Sequence, residues 1–343
     1  MNDIILNIVD LNKSFSLHSG ISNLIGFKKS KTIKVIDNIN FKISRGEILV
    51  LAGESGSGKT TIAKLIMRSI NPDSGSIFFD NLDITKLKGK ELLRIRSKIQ
   101  IIFQDPYSSL DPRMKIFDIV KEPLDVHKKG LKKNDSEEYV FSALKKVNLD
   151  PDEISSKYPH MLSGGQRQRV SFARALVLKP LLIIADEPVS MLDVSIRGQL
   201  LELMKKLKQE ENISFLYITH DLATSQSVGD HIIILYKGQI IEQGTIKQVL
   251  YNPLHPYTRA LISAIPKFAI NNQQPHHEIK IKNDLESESN SQEGCKFINK
   301  CLYSTEKCKN SEPLLTKEEI HNSSSHDPHN SHFIRCFNYE SIS

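Results

Sequence analysis

The chain has 343 residues, enough for one large domain with an extension or for two modest ones. Hydrophobic residues make up 39% and charged residues 25%, a balance ordinary for a soluble globular protein, and no apolar run approaches the ~20 residues that span a bilayer. The net charge of +6 is uneven: residues 271–343 hold eight Lys+Arg against eleven Asp+Glu, which leaves the first 270 residues at +9. A basic body suits nucleotide, anionic lipid or nucleic acid, or is simply a lysine-rich soluble surface.

In chain order, "DIILNIVDLN" and "TIKVIDNINFKI" alternate apolar and polar residues, as half-buried antiparallel strands do. The polar, glycine-containing stretch "SLHSGISNLIGFKKSK" between them reads as an extended loop. "EILVLAG" (47–53) is continuously apolar and suits a strand buried on both faces. The helix expected over "KTTIAKLIMRSI" places Ile62, Leu65, Ile66 and Ile70 on one face, and "NPDSG" (71–75) reads as a turn. Residues 113–160 show helical periodicity and no clear strand. "LLIIAD" is the next buried strand, and "SIRGQLLELMKKLKQEE" is an amphipathic helix. "ISFLYITH" and "HIIILYKGQIIEQG" supply further strands, the latter folding back at Lys237-Gly238. Strands alternating with helices imply an α/β protein with a parallel core. From about residue 269 the chain turns polar and reads as linker, and no internal repeat is evident.

"GESGSGKT" (53–60) follows a strand and opens a helix, the context that a phosphate-binding loop requires. Gly53, Gly56 and Gly58 let the backbone wrap a phosphate with its N–H groups inward, and the helix N-terminus adds partial positive charge. Lys59 is expected to reach the β- and γ-phosphates, and the Thr60 hydroxyl to bind Mg²⁺. The candidate ATP cradle runs through Gly53, Glu54, Ser55, Gly56, Ser57, Gly58, Lys59, Thr60 and Thr61. An acidic partner comes from "LLIIADEP" (181–188): Asp186 is expected to hold the metal and Glu187 to orient and deprotonate the attacking water. A third stretch, "LSGGQRQR" (162–169), places Ser163 three residues before Gln166. This is a capping box that starts a helix, with Gly164 and Gly165 leaving room for an anion at its tip.

The ordered set "GESGSGKT", "IIFQDP", "LSGGQRQR", "LLIIADEP", "SMLD" and "ITHD" resembles the nucleotide-binding subunits of ABC transporters over roughly residues 5–265. "SSLDPRM" and "NPLHPYTRALISAIP" resemble the oligopeptide/dipeptide importer branch, and "DITKLKGKEL" (83–92) leans toward the second of its paired ATPases. The resemblance implies a P-loop NTPase (RecA-like) parallel core, an antiparallel β subdomain and a helical subdomain at about 105–175. Together they form a nucleotide-binding domain over 1–268, followed by a small cysteine-containing extension over 269–343. It implies that Phe15 stacks on adenine, that Gln104 senses Mg²⁺ and the attacking water, and that His220 hydrogen-bonds the γ-phosphate. Thr60, Gln104 and Asp186 are the implied Mg²⁺ residues. Ser163, Gly164, Gly165, Gln166 and Asp193 are implied to serve the nucleotide of a second ATPase subunit, in a heterodimer or a homodimer. Met191 departs from the small residue usual in the "SMLD" loop.

Cys295, Cys301, Cys308 and Cys336 are spaced C-x5-C-x6-C-x27-C. In a cytosolic protein, metal binding is a better reading of such a set than disulfides. Four thiolates suit Zn²⁺ or a [4Fe–4S] cluster, and the absence of tight C-x2-C pairs favours iron–sulfur. The pattern also resembles the cysteine motif of peptide-importer ATPases, for which a [4Fe–4S] cluster is implied. His321, His326, His329 and His332 are expected to be solvated. "MNDIILNIVDLNKSF" lacks a basic start and a long apolar core, so no secretory signal is expected. The resemblance implies a peripheral protein at the cytoplasmic face of the cell membrane. Its implied partners are two permeases and, indirectly, an extracytoplasmic binding protein, with no nucleic acid. Competing readings are a same-branch importer for nickel or another small solute, or a non-transport ABC ATPase.

Overall fold

The computed structural model describes residues 3–16, 32–128, 130–264, 294–318 and 331–341. Two long antiparallel strands open it, β1 (Ile4–Ser16) and β2 (Thr32–Ser44), and β3 (Ile48–Ala52) leads into α1 (Lys59–Ile66). Then come β4 (Ser74–Phe79), β5 (Leu82–Asp83), α2 (Gly89–Lys98) and β6 (Ile99–Ile102). A helical stretch follows: α3 (Pro106–Ser109), α4 (Ile116–His127), α5 (Lys133–Lys146), α6 (Pro151–Ile154) and α7 (Gly164–Leu176). The chain returns through β7 (Leu182–Asp186), α8 (Val194–Glu211), β8 (Ser214–Thr219), α9 (Leu222–Val228), β9 (His231–Tyr236) and β10 (Gln239–Thr245). After α10 (Ile246–Tyr251) and α11 (Pro256–Ser263), the last described elements are α12 (Glu306–Asn310), β11 (Thr316–Lys317) and β12 (Phe333–Ile334).

The strands form two sheets, an antiparallel one in the order β2-β1-β4-β5 and a larger one in the order β11-β12-β10-β9-β3-β8-β7-β6. Within the larger sheet β9, β3, β8, β7 and β6 run parallel. Both of its faces are buried, which is why these strands read as unbroken apolar runs. Side-chain alternation divides them between two cores. Ile48, Val50, Ile183, Phe215 and Ile232 enter one that also holds residues of α4, α5, α7 and α8. Leu49, Leu51, Leu182, Leu216 and Ile233 enter the other, shared with α1, β1 and β2. The helical stretch after β6 packs Ile119, Val120, Leu124, Val140 and Leu144 against Val170 and Phe172 of α7.

Differences from the sequence reading have local causes. Helix α1 ends at Ile66, so Ile70 lies beyond it, although it still packs at the margin of the second core. Only part of "NPDSG" turns; Ser74 and Gly75 already belong to β4, because β1 offers a partner in the pairing of Asn12 with Ser74. A side chain at Gly75 would place its Cβ 2.3 Å from the Asp10 carbonyl oxygen, so the glycine permits the approach. The Lys237-Gly238 reversal has φ of 42° and 79°, the left-handed pair of a two-residue hairpin turn. The loop expected over 16–31, apart from Ser16, and the polar linker lie outside the described residues.

The segment at the C-terminal end joins the core sheet, β12 pairing with β10. Lys296 Nζ meets Asp37 Oδ2 at 2.7 Å, and Arg335 donates to the Ile240 carbonyl at 2.8 Å. His332, expected in solvent, is buried: its Nε2 lies 2.9 Å from Glu242 Oε1 and its Nδ1 3.3 Å from Glu318. The fully buried Glu242 carboxylate also accepts the backbone N–H groups of Leu254 and His255 at 2.8 and 2.9 Å. His321, His326 and His329 lie outside the described residues. Removing the Glu242 carboxylate leaves two buried backbone N–H groups and the His332 imidazole without their hydrogen-bond partner. At about 1–3 kcal/mol for each buried group left unsatisfied, Glu242→Ala is expected to cost about 3 kcal/mol or more of stability, measured by urea unfolding, with the tryptic pattern of residues 294–341 changing as well.

Candidate functional site

The phosphate-type loop leaves β3 at Gly53, whose φ of 151° is open only to glycine and whose absent Cβ would lie 2.2 Å from the Leu235 carbonyl oxygen. Gly58, at φ 109°, caps α1 and packs against Ile36, while Gly56 (φ 80°) has open space on its Cβ side. The conformation thus has two origins, close backbone packing at Gly53 and Gly58 and left-handed dihedrals at all three. Lys59 folds back over the loop, its Nζ donating to the carbonyls of Gly53 at 2.7 Å and Glu54 at 2.9 Å. Burial lowers its pKa, opposed by the nearby charges of Glu187, Asp186 and Glu54. A buried ammonium of this kind, with only two carbonyls on its three donors, suits an incoming anion. Ser57 Oγ is buried with no hydrogen-bond partner.

A cavity of about 770 Å³ lies over this loop. It is lined by Gly53, Glu54, Ser55, Gly56, Gly58, Lys59, Thr60 and Thr61 together with Gln104, Glu187 and His220. Glu187 is the centre of a small network: its Oε2 accepts from Gln104 Nε2 at 2.9 Å, and its Oε1 lies 3.0 Å from His220 Nδ1. The residue has φ 49°, left-handed for a glutamate, and its N–H donates to the Ile218 carbonyl at 2.9 Å. That conformation costs about 1–3 kcal/mol and turns the carboxylate off the strand direction. Asp186 sits behind it at the end of β7. Burial raises its pKa and a hydrogen bond with the Thr60 side chain pulls it back down. The Thr60 hydroxyl and the Asp186 carboxylate, hydrogen-bonded to each other, are hard oxygen donors of the kind Mg²⁺ takes.

Other expected site residues lie outside the lining of this cavity. Phe15 is exposed near the end of β1, with Lys13 Nζ 5.6 Å from its ring centroid. At the tip of α7, Ser163 Oγ accepts the Gln166 N–H at 3.2 Å and Gln166 Oε1 accepts the Ser163 N–H at 3.0 Å, the expected capping box. A Cβ on Gly165 would meet Ile196 of α8 at 2.7 Å, whereas one on Gly164 would touch only Leu192 at 3.5 Å. Packing explains the second glycine, and the first leaves the helix tip unobstructed. Asp193 is the residue before α8 and makes no side-chain capping bond; beside it Met191 and Val194 are 59% and 82% exposed.

Residues that the sequence reading missed complete the surroundings. Val35 and Leu261 line the cavity, and the Tyr257 hydroxyl accepts the Glu54 N–H at 3.0 Å. Arg197 donates to the Leu192 carbonyl at 2.7 Å and lies 3.9 Å from Asp221, tying the "SMLD" loop to the residue after His220. Tyr107 stacks under the Arg167 guanidinium at 4.1 Å, joining the segment after Gln104 to α7. Helical spacing hints at none of these contacts, although Leu261 and Tyr257 fall in the quoted "NPLHPYTRALISAIP".

All four cysteines, with Phe297 and His255, line one small cavity of about 20 Å³, the space of a single water. Burial and the neighbouring thiols push Cys295 and Cys336 up to about 11. Cys336 Sγ accepts the Asn338 N–H at 3.4 Å, and Cys308 Sγ lies 3.4 Å from Thr305 Oγ1. Among the described residues no group of three or more His, Cys, Asp or Glu is arranged to hold a single metal ion.

A family profile described as ABC transporter matches residues 36–190, and one described as oligopeptide/dipeptide transporter, C-terminal region, matches residues 241–308. The chain is 40% identical to the dipeptide transport ATP-binding protein DppF of Haemophilus influenzae, over 92% of this chain and 93% of that one. It is 48% identical to the oligopeptide transport ATP-binding protein OppF of Streptococcus mutans, over 70% and 77%. An ATP-binding cassette solved as a dimer in a post-hydrolysis state with ADP and Pi superposes with a TM-score of 0.61 at 28% identity, covering 70% of this chain and 98% of that one. The cbiO1 protein of Clostridium perfringens, part of an ABC transporter complex, gives 0.63 at 27%, covering 78% and 98%.

The two reasons for glycine in the loop separate experimentally. Gly53→Ala drives a methyl into a backbone carbonyl and is expected to abolish Mg-ATP binding. Gly56→Ala meets only the cost of its dihedral, about 1–2 kcal/mol, and is expected to weaken binding by roughly tenfold. Titration of each purified variant with a fluorescent ATP analogue checks the order.

Proposed function

The chain belongs to the ATP-binding proteins of ABC transporters, and we propose that it energises an importer for oligopeptides or dipeptides. It binds and hydrolyses ATP, working as a nucleotide-sandwich dimer with a second ATPase subunit under two membrane permeases. In this reading it sits peripherally on the cytoplasmic face of the cell membrane, the second ATPase is a different chain, and an extracytoplasmic binding protein delivers the cargo. Residues 1–268 are the nucleotide-binding domain, with the helical subdomain at about 105–175, and residues 269–343 are the extension. Among the described residues no helix is long and apolar enough to cross a membrane. The names of the similar dipeptide and oligopeptide transport proteins, and the match over 241–308, support the peptide cargo.

The observation that carries the reaction is the Glu187 carboxylate, held between Gln104 and His220 in the cavity formed by the phosphate loop. Lys59 and the loop N–H groups take the phosphates, and Phe15 stacks on the adenine. Glu187 orients a water and accepts its proton as the water oxygen bonds to the γ-phosphorus; the bond to the ADP oxygen breaks, giving ADP and phosphate. His220 steadies the γ-phosphate and Gln104 the water. Thr60, Asp186 and Gln104 would hold Mg²⁺, which supplies charge neutralisation on the phosphates when bound. Ser163, Gly164, Gly165, Gln166 and Asp193 serve the partner's nucleotide, and none of them lines this chain's own cavity. Loss of the shared γ-phosphate then separates the subunits, because a ligand shifts conformers only by its differential affinity. A cleft of about 650 Å³ beside the segment after Gln104, lined by Tyr107, Leu110, Arg113, Met114, Glu122 and Arg174, is the surface for the permease.

In this reading a [4Fe–4S] cluster sits at the four thiols, and the observation behind it is that all four line one cavity. There the Asn338 N–H donates to Cys336 Sγ, and Thr305 Oγ1 lies 3.4 Å from Cys308 Sγ. Cys295, Cys301, Cys308 and Cys336 would hold the cluster, although their cavity of about 20 Å³ has room for only a water. Their raised pKa values mean that loading releases protons.

Glu187→Gln keeps the hydrogen-bonding shape and removes the base. It is expected to trap an ATP-bound dimer, seen by gel filtration with Mg-ATP; rapid hydrolysis by that variant refutes Glu187 as the base. Co-purification from membranes is expected to bring down two permeases, and the ligand of the associated binding protein identifies the cargo. Anaerobically purified protein is expected to be brown, with broad visible absorbance that Cys308→Ser abolishes; a colourless preparation removes the cluster from this reading.

A further inference from the structure

Tyr257 connects two parts of the molecule that the reaction described above does not. Its ring is fully buried, and its hydroxyl accepts the N–H of Glu54, the second residue of the phosphate loop, at 3.0 Å. The carbonyl of the same Glu54 accepts Lys59 Nζ at 2.9 Å. One residue of the loop is therefore held from both sides, by the tyrosine on its N–H and by the lysine on its C=O. The far side of the Tyr257 ring belongs to an aromatic cluster: Phe297 meets it edge-on at 5.5 Å between centroids, and Tyr236 lies at 4.7 Å. Phe297 also packs on Tyr236 at 5.4 Å and on His255 at 5.6 Å, and it lines the cysteine cavity two residues after Cys295. Burial raises the Tyr257 pKa further above its usual value, so its hydroxyl stays neutral at any working pH.

We infer that Tyr257 is a positioning residue for the phosphate loop and that Phe297 holds it in place, so that the cysteine-lined module acts on the affinity of the site for Mg-ATP. The inference rests on residues 53–61 being the ATP cradle. The physical basis is preorganisation. The hydrogen bond to Tyr257 sets the plane of the Gly53–Glu54 peptide, and that peptide carries the Gly53 carbonyl on which Lys59 rests. Without the hydroxyl the peptide is held from one side only, by Lys59 on the Gly53 carbonyl, and ATP binding must order it further. Gln104, Glu187 and His220 sit on other loops, so the chemical step, once ATP is bound, keeps its groups.

The test uses the full-length chain assembled with its transporter partners, with binding of a fluorescent ATP analogue and steady-state hydrolysis read in parallel. Tyr257→Phe keeps the ring and removes only the acceptor. Its Kd and KM are expected to rise roughly threefold to tenfold with kcat unchanged. Phe297→Leu keeps an apolar filler and loosens the ring behind Tyr257, and is expected to raise Kd in the same direction by less. An unchanged Kd in folded Phe297→Leu overturns the link to the module, and an unchanged Kd in Tyr257→Phe overturns the inference whether or not Phe297→Leu folds. Lys59→Ala separates this from failure of the cradle itself. Full ATP binding by Lys59→Ala sinks the cradle assignment, whereas a dead Lys59→Ala beside an unaffected Tyr257→Phe sinks the positioning role alone.

Discussion

Parallel register in the central sheet is the constraint on which the site depends. Ala52 pairs with Thr219, Asp186 with Ile218, and Ile102 with Ala185. The residues just past these pairs, Gly53, His220, Glu187 and Gln104, therefore emerge together at one edge. Parallel strands deliver their loops to the same end, which is where open α/β sheets bind ligands. A slip of one residue in any pair would send a site residue to the opposite face and force side chains packed for one core into the other. The two-sided burial of β3, β7 and β8 holds the register, since each alternate side chain belongs to a different packed core.

On that frame the site concentrates charge that is incomplete without a ligand. Burial weakens the hold of Lys59 on its proton and of Asp186 on its negative charge, each offset in part by the other's neighbourhood. Glu187 is turned out of the strand by a left-handed backbone and braced by Gln104 and His220. Such a cluster is poorly satisfied alone and well satisfied around a phosphate chain with its cation. The helix tip at Ser163 shows the complementary arrangement: its capping box is complete, its first glycine is open, and it contributes nothing to the cavity of its own chain.

The C-terminal segment extends the same sheet. Strand β12 adds to β10, Lys296 reaches Asp37 on β2, and the Glu242 carboxylate gathers two backbone N–H groups and His332. Burial raises the Asp37 pKa, but the Lys296 and Lys34 ammonium groups outweigh it and leave the net value lowered. That part of the docking is thus fully present above the ordinary carboxylate range and fades as the pH falls through the lowered value. The aromatic cluster of Tyr236, Tyr257 and Phe297 fills the space between this segment and the phosphate loop.

Much of this was legible in the sequence because its causes are local. The glycine positions of 53–58, the Ser163–Gln166 cap, the Lys237-Gly238 reversal and the continuously apolar strands each follow from a few neighbouring residues. The order of the motifs was enough to imply the family. Other features needed the chain to return on itself. Ser74 and Gly75 look like turn residues until β1 offers hydrogen bonds. His332 looks solvated until Glu242, ninety positions away, arrives beside it. Tyr257 meets Glu54 across 203 positions. The sequence by itself determined the long apolar strands, the amphipathic helices and the phosphate-type turn, because nearest-neighbour sterics and burial period decide those. Only the tertiary structure decided which charge finds which partner, because a hydrogen bond between distant residues depends on register and packing that no short window of sequence contains.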